Sequence, residues 1–271
     1  MKYCLPIVLF LACTAPTSQS SFATLTNGSL SVSVDPTVGG RISSLQYDGV
    51  EVLKTTRDPA NLQWGSTVWL SPQSAWGWPP HATFDSDPYT LERPEENTLL
   101  LKSAVDSATQ LQLYKQLTLT DDALDLTFTL HNRGDSTRTY GLWSNTRLPY
   151  AGHLLFQRGD SIRVEKIADP VERYPAMTVI RFEDRHPKNG KVFADLRDGG
   201  VTYYSPDSLA FTQRSTLLDY AAVAPGQAPL EVYLAPEDGF AEFEMQGPHR
   251  AIAPGDSLVF DLQWTIGKSE N

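Results

Sequence analysis

The feature that most constrains the fold is an alternation of period two that runs through most of the 271 residues. Leu30, Val32 and Val34 alternate with Ser31 and Ser33, and Leu111, Leu113, Leu117 and Leu119 alternate with Gln112, Gln116 and Thr118. Leu124, Leu126, Phe128 and Leu130 repeat the pattern, as do Leu258, Phe260, Leu262, Trp264 and Ile266. Successive strand side chains point to opposite faces, so each run predicts a strand with one apolar and one wet face. The runs on either side of Asp121-Asp122 predict an antiparallel hairpin. Turn dipeptides such as Asn27-Gly28, Asp48-Gly49, Asn189-Gly190 and Asp238-Gly239 separate the runs, which is the chemistry hairpin turns require. No stretch has the pattern of a three-turn helix. Many short strands without a dividing linker predict one all-β sandwich, here assigned to residues 25–268.

Two segments depart from the alternation. Residues 57–97 are rich in Pro and hold four of the six Trp, and they read as a long loop without strands, the kind that usually carries function. Residues 165–189 are charged and read as a surface excursion with room for a short helical turn.

The N-terminus reads as a targeting segment. Met1-Lys2-Tyr3 precedes a short apolar run ending in Phe10-Leu11-Ala12-Cys13, followed by a Thr/Ser/Pro/Gln stretch. The run is too short for a membrane-crossing helix. Its end resembles the lipobox of bacterial lipoproteins. That resemblance implies a signal peptide over 1–12, lipid attachment at Cys13 and a polar tether over 13–24. Thr14, in place of an inner-membrane retention Asp, points to the outer membrane. The alternative is an ordinary signal peptide cut near residues 18–21. Both cysteines lie in this segment, so neither a disulfide nor thiol chemistry is expected in the exported domain. The formal charge of −10 argues against nucleic acid and favours neutral partners.

Val38-Gly39-Gly40-Arg41-Ile42-Ser43-Ser44-Leu45 with Tyr47-Asp48-Gly49 resembles the opening of galactose mutarotases and related aldose 1-epimerases. The Trp64 to Pro80 block, Leu142-Trp143 and Glu242 to Pro248 resemble an uncharacterised bacterial family within that superfamily. The resemblance implies an antiparallel β-supersandwich with a sugar on its concave face. It also implies a Glu general base on a late strand, for which Glu244 in Glu244-Met245-Gln246 matches. Where mutarotases carry an acidic His, this chain has Thr146 or Arg147, in the stretch that begins at Asn145. A guanidinium does not exchange protons near neutrality. His81 is left as a weak alternative acid.

The residue types suit a carbohydrate. Indole stacks on the apolar face of a pyranose, and planar polar groups bind its hydroxyls. Trp69, Gln73, Trp76 and Trp78 are the candidates in the Trp block, with Trp76 and Trp78 preferred, while about half of the four Trp are expected in the core. Arg41, Asn145, Arg147 and Glu242 complete the candidate binding set; Arg41 is equally readable as an ordinary surface Arg. Alternation predicts that Glu242, Glu244 and Gln246 leave the sheet on one face and Ala241, Phe243 and Met245 on the other. No cofactor is expected. His81, Asp85 and Asp87 offer metal-ligand types, but without a recognisable metal-binding spacing. The leading expectation is a carbohydrate-binding lipoprotein. The alternatives are an epimerase or mutarotase using a Glu base, and a structural envelope lipoprotein.

Overall fold

The computed structural model describes residues 22–57, 62–182 and 188–269. The signal segment and Cys13 lie outside the described residues. Nearly everything described is antiparallel strand. The first third contributes β1 (Ala23–Thr26), β2 (Leu30–Asp35), β3 (Arg41–Tyr47), β4 (Val50–Glu51), β5 (Ser66–Ser71) and a single α-helical turn, α1 (Ala82–Asp85). Then come β6 (Thr90–Glu95), β7 (Thr98–Lys102), β8 (Leu111–Leu119), β9 (Ala123–Asn132) and β10 (Arg138–Pro149). The second half adds β11 (His153–Glu165), β12 (Val171–Arg173), β13 (Thr178–Arg181), β14 (Gly190–Tyr204) and β15 (Leu209–Ser215). The last strands are β16 (Leu230–Ala235), β17 (Phe240–Gln246), β18 (Arg250–Ile252) and β19 (Ser257–Lys268).

The ladders trace two layers joined by the long strand β14. One layer runs β2, β3, β5, β10, β17, β16 and β14. The other runs β7, β8, β9, β19, β15 and again β14. Strand β14 serves both because its first residues, Gly190–Ala194, pair with β16 and its last, Gly200–Tyr204, pair with β15. Its partner β11 shifts register between Phe156 and Ile162, and such irregularities let a strand bend from one layer to the next. The apolar faces meet between the layers: Phe243 of β17 packs edge-on against Phe211 of β15 at 5.5 Å, and Phe211 against Trp264 at 5.2 Å. The expected hairpin is present, with Leu119 opposite Leu124.

The reading of 57–97 as a strandless loop is corrected. Strand β5 lies between β3 and β10 and all six of its residues are buried. A strand covered on both faces needs no alternation, so its pattern is silent. The 165–189 excursion contains the short strands β12 and β13, and its described part has no helical turn. The paired glycines before β3 have a local reason: Gly39 has φ +64°, and a Cβ there would lie 2.1 Å from the Asp85 carbonyl oxygen. The turn thus brings the end of α1 against β3.

Candidate functional site

Register sets the site. In β10, Trp143, Asn145 and Arg147 lie opposite Gln246, Glu244 and Glu242 of β17. Glu244 and Glu242 face Glu231 and Tyr233 of β16, which in turn face Phe193 and Lys191 of β14. Trp69 of β5 faces Trp143. Because the side-chain period is two, all of these leave the sheet on the side away from the core. Ala241, Phe243 and Met245 are fully buried on the core side, as the alternation of β17 requires.

The polar face is dense with charge. Glu244 is 1% exposed; its Oε2 accepts the Trp143 indole N–H at 2.7 Å and Lys191 Nζ at 2.8 Å. Lys191 also meets Glu231 Oε2 at 2.6 Å. Glu231 is fully buried, and its Oε1 accepts the Ala228 N–H at 3.0 Å and the Gln246 amide at 3.3 Å. Burial pushes the Glu244 carboxyl up to about 8, against the opposing pull of Lys191, and Glu231 and Glu242 add to the rise. Burial would depress the Lys191 ammonium, but Glu244 and Glu231 together raise it above its ordinary value. Burial thus favours the protonated carboxyl, while the Lys191 contact favours the carboxylate. Oε2 accepts both donors, which leaves Oε1, without a partner among the described residues, as the oxygen for a proton. Beside it, Arg147 Nε donates to Glu242 Oε1 at 2.6 Å, and its guanidinium carbon lies 5.1 Å from the Trp69 ring centre.

Above this face lies a cleft of about 430 Å³. Its walls include Trp69, Gln73, Trp78, Trp143, Glu242 and Glu244, and Lys191, Phe193 and Tyr233 close the far side. Trp69 packs edge-on against Trp143 at 5.3 Å and Trp78 at 5.9 Å. Trp78 is 63% exposed.

The structure thus brings Glu244, Glu242, Trp69, Gln73 and Trp78 together, with Arg147 beside them. The other candidates do not line this cleft, although the Trp76 ring packs against Trp69 at 6.2 Å and Trp143 at 6.5 Å. Trp76 is half-buried against the core, its indole N–H on the Leu70 carbonyl at 3.0 Å. Asn145 is buried beneath the indoles and donates to the Trp143 carbonyl at 3.2 Å. Arg41 is fully buried, so it is not a surface residue. Its guanidinium donates to the carbonyls of Leu62, Trp64 and Asp85 and to Asp85 Oδ1, which makes it a brace behind the site. His81 does not line the cleft; its ring lies against Trp76 and Phe84, and Nδ1 faces Asp106 Oδ2 at 3.6 Å. Of the Trp block, Trp64 and Trp69 are buried. Sequence reading missed Lys191, Glu231, Tyr233 and the role of Asp85, although Leu230 to Leu234 alternates plainly enough to have exposed Glu231 and Tyr233 as one face. Among the described residues no group of three or more His, Cys, Asp or Glu could hold a metal ion.

This architecture is the galactose mutarotase-like fold. A putative aldose 1-epimerase from Escherichia coli K12 superposes with a TM-score of 0.61 at 14% identity, covering 91% of this chain and 99% of that one. A galactose mutarotase-like protein from Clostridium acetobutylicum gives a TM-score of 0.65 at 10% identity, covering 90% and 94%. Another from Lactobacillus casei gives 0.61 at 12%, covering 91% and 100%. Such identities establish the fold alone. Within it, the chain belongs to the DUF4380 family, a domain of unknown function, whose profile matches residues 22–267. No curated protein matches the sequence.

Proposed function

We propose that this protein binds a neutral carbohydrate in the cleft over β5, β10, β17 and β16. The observation that carries the reading is Trp78, a large indole left mostly exposed above Trp69 and Trp143, with Gln73, Glu242 and Tyr233 within the same walls. Indole faces and planar polar groups around one concave space are what a pyranose needs. The test is intrinsic Trp fluorescence titrated with glucose, galactose, mannose and their common disaccharides. A saturable change that disappears in Trp78→Ala is expected. A silent panel in the wild type would remove the reading and favour a structural role.

A second reading is favoured by the Glu244 carboxyl, which lines the cleft and is raised by burial to about 8. A group poised near 8 can give and take a proton at a sugar oxygen. Exchange between α- and β-anomers, followed by NMR with wild type and Glu244→Gln, tests it: acceleration lost in the variant supports catalysis, and an unchanged uncatalysed rate in both excludes it. The chain is further proposed to be exported and anchored in the outer membrane by lipid at Cys13. Palmitate labelling of wild type but not Cys13→Ser is the expected result, and an unlabelled wild type would overturn it.

A further inference from the structure

The cleft continues past Trp78. A second lobe of about 560 Å³ is walled by Pro79, Pro80, Ala82, Asp85, Ser86 and Arg147. Both lobes share Gln63, Trp69 and Trp78, so they are adjoining parts of one groove, and each alone falls in the range of roughly 300–1,000 Å³ that small-ligand clefts occupy. The Arg147–Glu242 ion pair stands at the divide: Glu242 lines the first lobe and Arg147 the second.

The two lobes carry the same device. In the first, a carboxyl oxygen of Glu244 takes the Trp143 indole N–H at 2.7 Å and the Lys191 ammonium at 2.8 Å. In the second, Asp85 Oδ1 takes the Trp69 indole N–H at 2.8 Å and the Arg41 guanidinium at 2.7 Å. Each acid thus commits one oxygen to an indole and a cation, and leaves the other, Glu244 Oε1 or Asp85 Oδ2, without a partner among the described residues. The two indoles are cross-strand neighbours, so the stations lie side by side under one roof, Trp78. Both residues line the groove, so each remaining oxygen is open to a hydrogen bond with a ligand hydroxyl. The cations that contact these acids are already matched, Arg41 by Asp85, Arg147 by Glu242 and Lys191 by Glu231 and Glu244, and Lys166 shares the first lobe's lining with Glu165, so the groove offers an anionic ligand no surplus positive charge.

We propose that the groove takes a neutral glycan of at least two units, one pyranose in each lobe with the linkage beneath Trp78. The proposal rests on the carbohydrate reading above. Its test compares glucose and galactose with maltose, cellobiose and lactose by calorimetry on the full chain. Ala82→Trp fills the second lobe from an exposed position, and Ser86→Phe does so independently if the first variant misfolds. At least one disaccharide is expected to bind ten-fold or more tightly than its component hexose, and either variant should reduce it to the hexose's affinity. A hexose that binds without any disaccharide gain, or a gain that both folded variants leave intact, overturns the two-unit site while the carbohydrate reading stands. If no sugar binds, both fall.

Discussion

The Glu244→Gln substitution tests the electrostatics of the site through stability. In the native state burial raises the Glu244 carboxyl from 4.5 to about 8. Between those values the folded chain holds a proton that the unfolded chain has released, so stability falls as pH rises. The contribution is fully present below 4.5 and lost by the time pH passes 8. At about 1.4 kcal/mol per pH unit the interval sets a ceiling of about 5 kcal/mol. Gln cannot ionise, and it resembles the protonated carboxyl in shape, so at pH 5 the two proteins should be nearly equal in stability. The difference between them, variant minus wild type, should grow towards pH 9 by about 2–5 kcal/mol. The assay is urea denaturation at pH steps from 5 to 9, with the midpoint and slope fitted at each. Taking the difference cancels every other titrating group that the substitution leaves alone. A difference that is flat within about 0.5 kcal/mol across the range would refute the claim that Glu244 is held protonated by burial.

Further outcomes follow from other buried groups. Lys115 is 2% exposed on the inward row of β8, its Nζ on the Gly39 carbonyl at 2.6 Å, and burial lowers its ammonium from 10.5 to about 7. Here stability is present above 10.5 and lost as pH falls towards 7, so Lys115→Met should gain more over wild type at pH 6 than at pH 10, by up to about 4 kcal/mol in the same urea assay. Gly39→Ala, with its Cβ driven into the Asp85 carbonyl at φ +64°, should cost at least about 2 kcal/mol by thermal or chemical denaturation. Trp76→Ala should cost about 2–3 kcal/mol because it leaves a gap beside the core, whereas Trp78→Ala should stay within about 0.5 kcal/mol yet abolish any sugar-induced fluorescence change.

The strands legible in the sequence are those with one polar face. The hairpin of β8 and β9 and the Glu242, Glu244, Gln246 row on β17 follow from alternation alone, because an apolar core face and a polar opposite face leave a period of two. Strand β5 escaped because its position at the centre of a layer buries both faces. Lys115 sits in the gap between Leu113 and Leu117 on an otherwise apolar row, a visible sign that a charge is carried inside. Arg41 could be read as an Arg opening a strand, but its direction could not: whether it meets solvent or Asp85 depends on α1 folding back over Gly39. The Lys191, Glu231 and Glu244 cluster was out of reach for the same reason. Each residue lies on a recognisable strand, but Lys191 is brought to the two acids from 40 and 53 positions away, by a register that belongs to tertiary packing.

Charge balance explains why one group on this face differs from the rest. Asp85, Glu231, Glu242 and Glu244 are buried acids, and Arg41, Arg147 and Lys191 are the cations that contact them. Four acids against three cations leave one negative charge without a match, and an unmatched buried charge neutralises itself by binding a proton. Arg41 and Arg147 each serve one acid, while Lys191 is divided between Glu231 and Glu244, so the proton falls within that shared set. Glu244 is the member that also accepts an indole N–H and lines the cleft, whereas Glu231 has a backbone amide and Gln246 on its other oxygen. A proton on Glu244 is therefore held where a bound molecule would meet it: a ligand acceptor takes a hydrogen bond from the Oε1 O–H, and a ligand donor meets Oε1 once that proton has left.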